Sequence, residues 1–237
     1  MRKLVIFIVA VLVLTAASPV HGQGLLPFDL VDDPQGYTKT AVKAANDAAN
    51  SFNGQGYNWE KNAHCSTYAS RYIEKLGLAV SRPEDYANAD VKEFPWASTV
   101  MQVAWLEKNV PNQVIKVTVN DLLDGKLWGS INPGALIYFQ TRINHNGNNE
   151  YSHVVILLGY NKKGEPIFAE FVPSMQKGPR LGRTLHQVAG MYKYLGDNKW
   201  NLSTFDPKIK GQSKPEFLYV TIFDAVGAEV KDGSPFQ

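Results

Sequence analysis

The chain has 237 residues, and its 24 lysine and arginine residues nearly balance its 22 aspartate and glutamate residues. This balance excludes a strongly basic surface, so we expect no nucleic acid and no anionic membrane surface among its partners. The length suits one domain with a substantial hydrophobic core.

The N-terminus has the three-part pattern of a secretory signal peptide. Two basic residues precede an apolar run from Leu4 to Leu14, and small residues follow up to Gly22. The run is shorter than the about 20 residues that cross a bilayer. We therefore expect a signal peptide over residues 1–22, secretion to the periplasm or the extracellular space, and no integral membrane association. An uncleaved N-terminal anchor is the alternative.

Helical spacing of apolar residues dominates the first half of the remaining chain. It predicts helices over Thr38–Phe52, Cys65–Leu76 and Ser98–Lys108, and a short fourth helix over Asn120–Leu127. The pattern then changes after the turn signal Asn132-Pro133-Gly134.

Strand-length apolar runs dominate the second half. They predict strands at Ala135–Phe139, Ser152–Leu158, Pro166–Val172 and Phe217–Phe223. Residues 176–215 are weakly patterned, with one short helix predicted around Leu185–Tyr194. Helices followed by strands predict an α+β domain in which N-terminal helices pack on an antiparallel sheet. We expect this to be a single domain, residues 23–237.

The only cysteine, Cys65, cannot form an internal disulfide. A free thiol is unusual in an exported protein. Its predicted place is the first residue of a helix, where unpaired N–H groups and the helix dipole favour the reactive thiolate. The polar loop before it predicts that the thiol is accessible. We interpret Cys65 as a nucleophile, with an inert buried cysteine as the alternative.

Three stretches resemble, in order, the NlpC-type papain-like peptidases of bacterial cell walls. Residues 56–59 with Cys65-Ser66 are similar to the aromatic loop and Cys-Ser pair of that family, residues 133–139 to its Pro-Gly turn and first core strand, and residues 152–159 to its histidine strand. The resemblance implies a papain-like fold with Cys65 as nucleophile and His153 as base. Two residues depart from the family pattern: His64 replaces an acidic residue and Thr67 replaces a glycine. The spacing between nucleophile and base implies an insertion around residues 77–130.

A base of this kind needs a third group to orient its other ring nitrogen. If the hairpin turns through Asn161–Gly164 and pairs Tyr160 with Glu165, then Glu170 lies on the same face as His153, diagonal to it. A shift of one residue would reverse the faces. We predict Glu170 as the third residue, with Ser174 in reserve and a solvated carboxylate as the alternative for Glu170.

The neighbours of Cys65 have lesser predicted roles. The resemblance and its position before the nucleophile imply that Tyr57 helps to bind the oxyanion or substrate, together with the backbone N–H of Cys65; packing with Trp59 is the alternative. We expect His64 to tune the local charge rather than to act as a base. The cysteine and the scattered histidines lack metal-ligand spacing, so we expect no metal, and we expect no cofactor.

The sequence therefore predicts a secreted, monomeric cysteine peptidase or amidase. Its expected substrate is an amide bond, and the resemblance points to the stem peptides of peptidoglycan. Two alternatives stay open at this point. One is a secreted binding protein on a degenerate papain-like scaffold, and the other is a hydrolase of non-wall amides or esters.

Overall fold

A computed structural model describes residues 26–78, 81–82, 94–95, 98–118, 121–122, 127–141, 150–189, 192–196, 199–202 and 217–227. The predicted signal peptide lies outside the described residues, as does most of the predicted helix Asn120–Leu127. Within the part of the chain that is described, no helix is both long and apolar enough to span a membrane.

The three main helices predicted from the sequence are confirmed. They are α1 (Tyr37–Asn50), α2 (Cys65–Lys75) and α3 (Thr99–Asn109). A fourth helix, α4, covers only Leu185–Ala189. The prediction of a helix to Tyr194 was wrong in its second half, because Tyr192–Gly196 forms a strand. Short 3₁₀ turns occur at Pro27–Asp29, Pro111–Gln113 and Trp128–Ser130.

The strands form one large sheet and two small ribbons. In chain order they are β1 (Ser81–Arg82), β2 (Phe94–Pro95), β3 (Val114–Thr118), β4 (Leu136–Thr141), β5 (Glu150–Tyr160), β6 (Pro166–Glu170), β7 (Arg180–Thr184), β8 (Tyr192–Gly196), β9 (Lys199–Leu202) and β10 (Phe217–Phe223). The large sheet has six strands in the order β3-β10-β4-β5-β6-β7, and every pair in it is antiparallel. The mixed α+β class with an antiparallel sheet is therefore confirmed.

The helices α1, α2 and α3 all pack against the central strand β5. The packed face of α1 consists of Thr38 and four alanines, whose small side chains let the neighbouring elements approach closely. Tyr68 and Tyr72 of α2 are fully buried and donate hydrogen bonds to backbone oxygens, Ala45 O of α1 and Gly134 O before β4, both at 3.0 Å. These bonds fix α2, the helix that begins at Cys65, against its two neighbours.

The β5–β6 hairpin has a different register from the predicted one near its turn. Tyr160 pairs with Pro166 instead of Glu165, because the turn is closed one residue later by the pairing of Asn161 with Glu165. A bulge at Leu158 then restores the predicted register, so that Leu157 lies opposite Phe168. The predicted relation between His153 and Glu170 thus survives, although the turn on which it was based was wrong by one residue.

Candidate active site

Cys65 is the first residue of α2, as the sequence predicted. His64 is the N-cap, in an extended conformation, so the chain enters the helix directly at the cysteine. The expectation of an accessible thiol was wrong, because Cys65 is only 2% exposed. The preceding loop folds back on itself through paired backbone hydrogen bonds between Asn58 and Ala63, 2.7 and 2.8 Å long, and Ala63 and His64 are buried together with the cysteine.

His64 is a neutral structural residue. Its ring stacks on Trp59, with 4.1 Å between centroids, and contacts the hydroxyl groups of Ser66 (2.8 Å) and Thr67 (3.1 Å). Burial lowers the pKa of His64 to about 4. The ring is therefore uncharged at neutral pH, and the expectation that His64 tunes the local charge was wrong.

His153 lies on β5 and is 3% exposed. Its imidazole interacts with Cys65, and the ring stacks on Phe139, its register partner on the neighbouring strand β4. Nε2 faces Glu170 Oε2 at 3.4 Å, so Nδ1 is the ring nitrogen that does not face the carboxylate. Burial alone would lower the pKa of His153, but the hydrogen bonds and charges of Cys65 and Glu170 outweigh it and raise the pKa to about 9.

Glu170 is the last residue of β6 and is fully buried, so a solvated carboxylate is excluded. Its second oxygen, Oε1, accepts a hydrogen bond of 2.8 Å from Nε of Arg183. Ser174, the reserve choice, is exposed in the turn that follows β6, where Met175 N bonds to Val172 O. The structure thus brings Glu170, and not Ser174, to the imidazole of His153.

Arg183 is a site residue that the sequence analysis missed. It lies on β7, which was not predicted as a strand, and its side chain is 23% exposed. No local pattern connects it to Glu170, because the contact depends on how β6 and β7 pair.

Tyr57 lies in the loop that precedes α2. It is partly buried and makes edge-to-face contacts with Trp59 and Phe171. Burial, reinforced by the charge of Cys65, raises the pKa of Tyr57 far above the usual value for tyrosine. The hydroxyl group therefore stays protonated and is able to donate a hydrogen bond. The predicted packing of Tyr57 against Trp59 is therefore present, and its role in binding the oxyanion or substrate stays a prediction.

The aromatic loop is held by the segment that follows β6. Tyr57 N donates to Met175 O at 3.0 Å, and a Cβ atom at Gly56 would lie 2.7 Å from Gln176 O. Only glycine permits this approach without moving the backbone of one segment. The strand that carries Glu170 and the loop that carries Tyr57 are therefore positioned by the same turn.

Among the described residues, no group of three histidine, cysteine, aspartate or glutamate side chains has the arrangement of a metal site. The arrangement that is present offers a thiol, an imidazole and a carboxylate in series. Comparisons with protein-family models, curated proteins and solved structures found no match to this chain.

Proposed function

We propose that this protein is a secreted cysteine hydrolase that cleaves an amide bond, with a Cys65–His153–Glu170 triad on a papain-like, NlpC-type fold. The observation that carries the proposal is that Cys65, at the first residue of α2, interacts with His153, which also faces Glu170 Oε2 at 3.4 Å and has its pKa raised to about 9. Such a histidine is an imidazolium at neutral pH, and an imidazolium beside a cysteine stabilises the thiolate.

The proposed reaction has two halves. In the first, the Cys65 thiolate attacks the amide carbonyl carbon, and the His153 imidazolium gives its proton to the leaving amine as the C–N bond breaks. In the second, the now neutral His153 takes a proton from a water molecule that attacks the thioester. The acid is released, and the thiolate–imidazolium pair is restored. The hydroxyl group of Tyr57 and the N–H of Cys65 are the proposed donors to the oxyanion.

The proposed substrate is the peptide part of peptidoglycan. Its support is the resemblance of three sequence stretches to the NlpC-type family, together with the α+β arrangement in which the cysteine helix packs on the histidine strand. A non-wall amide or ester would use the same triad, so the products decide between these substrates.

Digestion of purified peptidoglycan tests the proposal directly. We expect new amino and carboxyl termini in the digest of the wild type, identified by mass, and none with Cys65→Ala. Ser174→Ala is the matched control, because this exposed serine lies in the same region without contacting the imidazole. Equal release by wild type and Cys65→Ala would contradict the proposal.

One observation favours a second candidate, a non-catalytic binding protein on the same scaffold. Cys65 and His153 are 2% and 3% exposed, whereas a substrate has to reach the sulfur. The rate of iodoacetamide alkylation at neutral pH separates the two. A hydrolase predicts that Cys65 is alkylated faster than free cysteine and that His153→Ala slows the reaction. A rate no faster than that of free cysteine, unchanged in the variant, would favour the binding protein.

A further inference from the structure

The buried carboxylate of Glu170 has two cationic neighbours. The residue is 0% exposed, and Oε1 lies 2.8 Å from Arg183 Nε while Oε2 lies 3.4 Å from His153 Nε2. A buried carboxylate is costly unless it is paired and hydrogen-bonded. Because the shorter contact is the one to Arg183, this residue fixes the orientation of the carboxylate. His153 then faces the other carboxylate oxygen, Oε2.

A bulge in β7 puts the side chain of Arg183 on the same face of the sheet as Glu170. Glu170 pairs with Arg180, so a regular ladder would set residue 182 opposite Phe168. Instead Arg183 lies opposite Phe168, and Gly182 is the extra residue, with φ +82°. Directly paired residues share a face of the sheet, and so do residues two apart on a strand. Arg183 therefore shares the face of Phe168 and Glu170, and without the bulge it would point to the opposite face.

Arg183 is also held from its far side. Its Nη2 donates to the backbone oxygen of Gln187 in α4 at 3.4 Å, and the side chain of Gln187 accepts a hydrogen bond of 3.0 Å from Thr184 N. The guanidinium is thus tied to β6 and α4 at once. Arg180, the register partner of Glu170 on β7, is exposed. It therefore offers a matched control arginine on the same strand as Arg183.

We propose that Arg183 is a positioning residue of the Cys65–His153 pair: by binding Oε1 of Glu170 it turns Oε2 to His153, and its charge limits how tightly His153 holds its proton. This inference rests on the proposed function for its catalytic meaning. The described titratable groups around His153 are Cys65 from α2 and Glu170 from β6. Tyr57 and Tyr138 interact electrostatically with Cys65, and Arg183 acts through Glu170.

The sign of the effect follows from charge balance. When His153 loses its proton, Glu170 keeps one cationic partner, Arg183. If Arg183 were neutral, the same step would leave a buried carboxylate with no cation, so the proton would be held more tightly. The titration midpoint of His153 should therefore rise from about 9 when the guanidinium is removed.

The test is the NMR titration of the histidine Cε1–H signals in the full-length chain, with His153 assigned by His153→Gln. We expect Arg183→Gln and Arg183→Met to raise the midpoint by about one pH unit. Arg183→Lys, which keeps the charge, should stay near the wild type, as should Arg180→Gln. Two neutral variants are used so that one misfolded variant does not prevent the measurement. A midpoint in the folded neutral variant that equals that of Arg180→Gln, or lies below it, overturns the proposal.

This readout does not need turnover. A raised midpoint together with failure to cleave any amide would reject the hydrolase and keep the charge-balancing role of Arg183. An unmoved midpoint in an active enzyme would reject that role alone. In an active enzyme, we further expect Arg183→Gln to lower kcat by roughly 10-fold with little change in KM, because Arg183 contacts Glu170 rather than the substrate.

Discussion

At the scale of single residues, the contact between His153 and Glu170 in the proposed triad is long. Its 3.4 Å exceeds the about 2.7–2.9 Å that is usual for a charge-assisted hydrogen bond, whereas Arg183 lies at 2.8 Å from the same carboxylate. Catalytic hydrogen bonds in unliganded sites are often long and tighten when substrate binds. Glu170 is therefore expected to orient the imidazole of His153, while the guanidinium of Arg183 balances most of the negative charge of the Glu170 carboxylate.

If Glu170 orients His153, Glu170→Gln should lower turnover by about 10- to 100-fold and leave the fold intact, because a base that is badly oriented still exists. Glu170→Ala should lower it further, and Cys65→Ala should abolish it. Turnover is measured on the peptidoglycan products, and the fold by thermal unfolding. Glu165→Gln is the matched control and should resemble the wild type, because Glu165 is an exposed residue in the turn directly before β6. Wild-type turnover in both Glu170 variants would show that the third residue was assigned wrongly.

At the scale of elements, β-bulges build the site. The bulge at Leu158 sets β6 in the register that brings Glu170 to the face of His153, and the bulge at Gly182 brings Arg183 to that face. A further register shift falls next to His153, where Phe139 pairs with His153 but Gln140 pairs with Tyr151. Bulges redirect side chains at the cost of local pairing, and they are concentrated near functional sites.

Gly182 tests this role of bulges. At φ +82° an alanine is strained, and its Cβ would also overlap the ring of Phe28. We expect Gly182→Ala to lower the free energy of unfolding by roughly 2–4 kcal/mol. Gly164→Ala is the matched control: it has φ +76° but nothing within 4 Å of the added carbon, so a loss of about 1 kcal/mol is expected.

Urea unfolding measures both glycine variants. Removing the overlap through Phe28→Ala should recover part of the loss in Gly182→Ala and none of the loss in Gly164→Ala. Equal losses in the two single variants would mean that the Gly182 bulge is not constrained by its packing.

At the scale of the whole molecule, two buried histidines set opposite limits on the pH range of stability. The folded-state pKa of His64, about 4, lies below the unfolded value near 6.5, so acidification from pH 6.5 to 4 protonates only the unfolded chain and lowers stability. The folded-state pKa of His153, about 9, lies above the unfolded value, so its contribution is complete below pH 6.5 and is lost as the pH rises through 9.

The free energy of unfolding should therefore be greatest near pH 6.5 and fall by about 3 kcal/mol towards each limit from these two groups. Urea unfolding at a series of pH values from 4 to 10 measures the curve. His64→Gln should flatten the acid side alone, and His153→Gln the alkaline side alone. If either variant leaves its side of the curve unchanged, the corresponding histidine does not have the stated charge in the folded protein.

The three main helices and the strands β4, β5, β6 and β10 were predictable because each has its own apolar periodicity. Two strands of the large sheet were not. β3 has mostly exposed or partly exposed side chains and pairs with β10, about 100 residues away in the chain. β7 is short and contains Gly182, which weakens a strand pattern.

The sequence by itself determined that Cys65 begins a helix and that His153 lies on a buried strand, because both facts depend on neighbouring residues and on short-range periodicity. The tertiary structure alone decided that the thiol is buried, that His64 is neutral, and that Arg183 binds Glu170. Burial depends on which loop folds over a residue, and a pKa depends on that burial. The tertiary structure also decided where the bulges lie, and one extra residue in a strand reverses which face every later side chain occupies. The bulges at Leu158 and Gly182 are set by packing between strands β5, β6 and β7, which are distant in the chain from the helix that begins at Cys65.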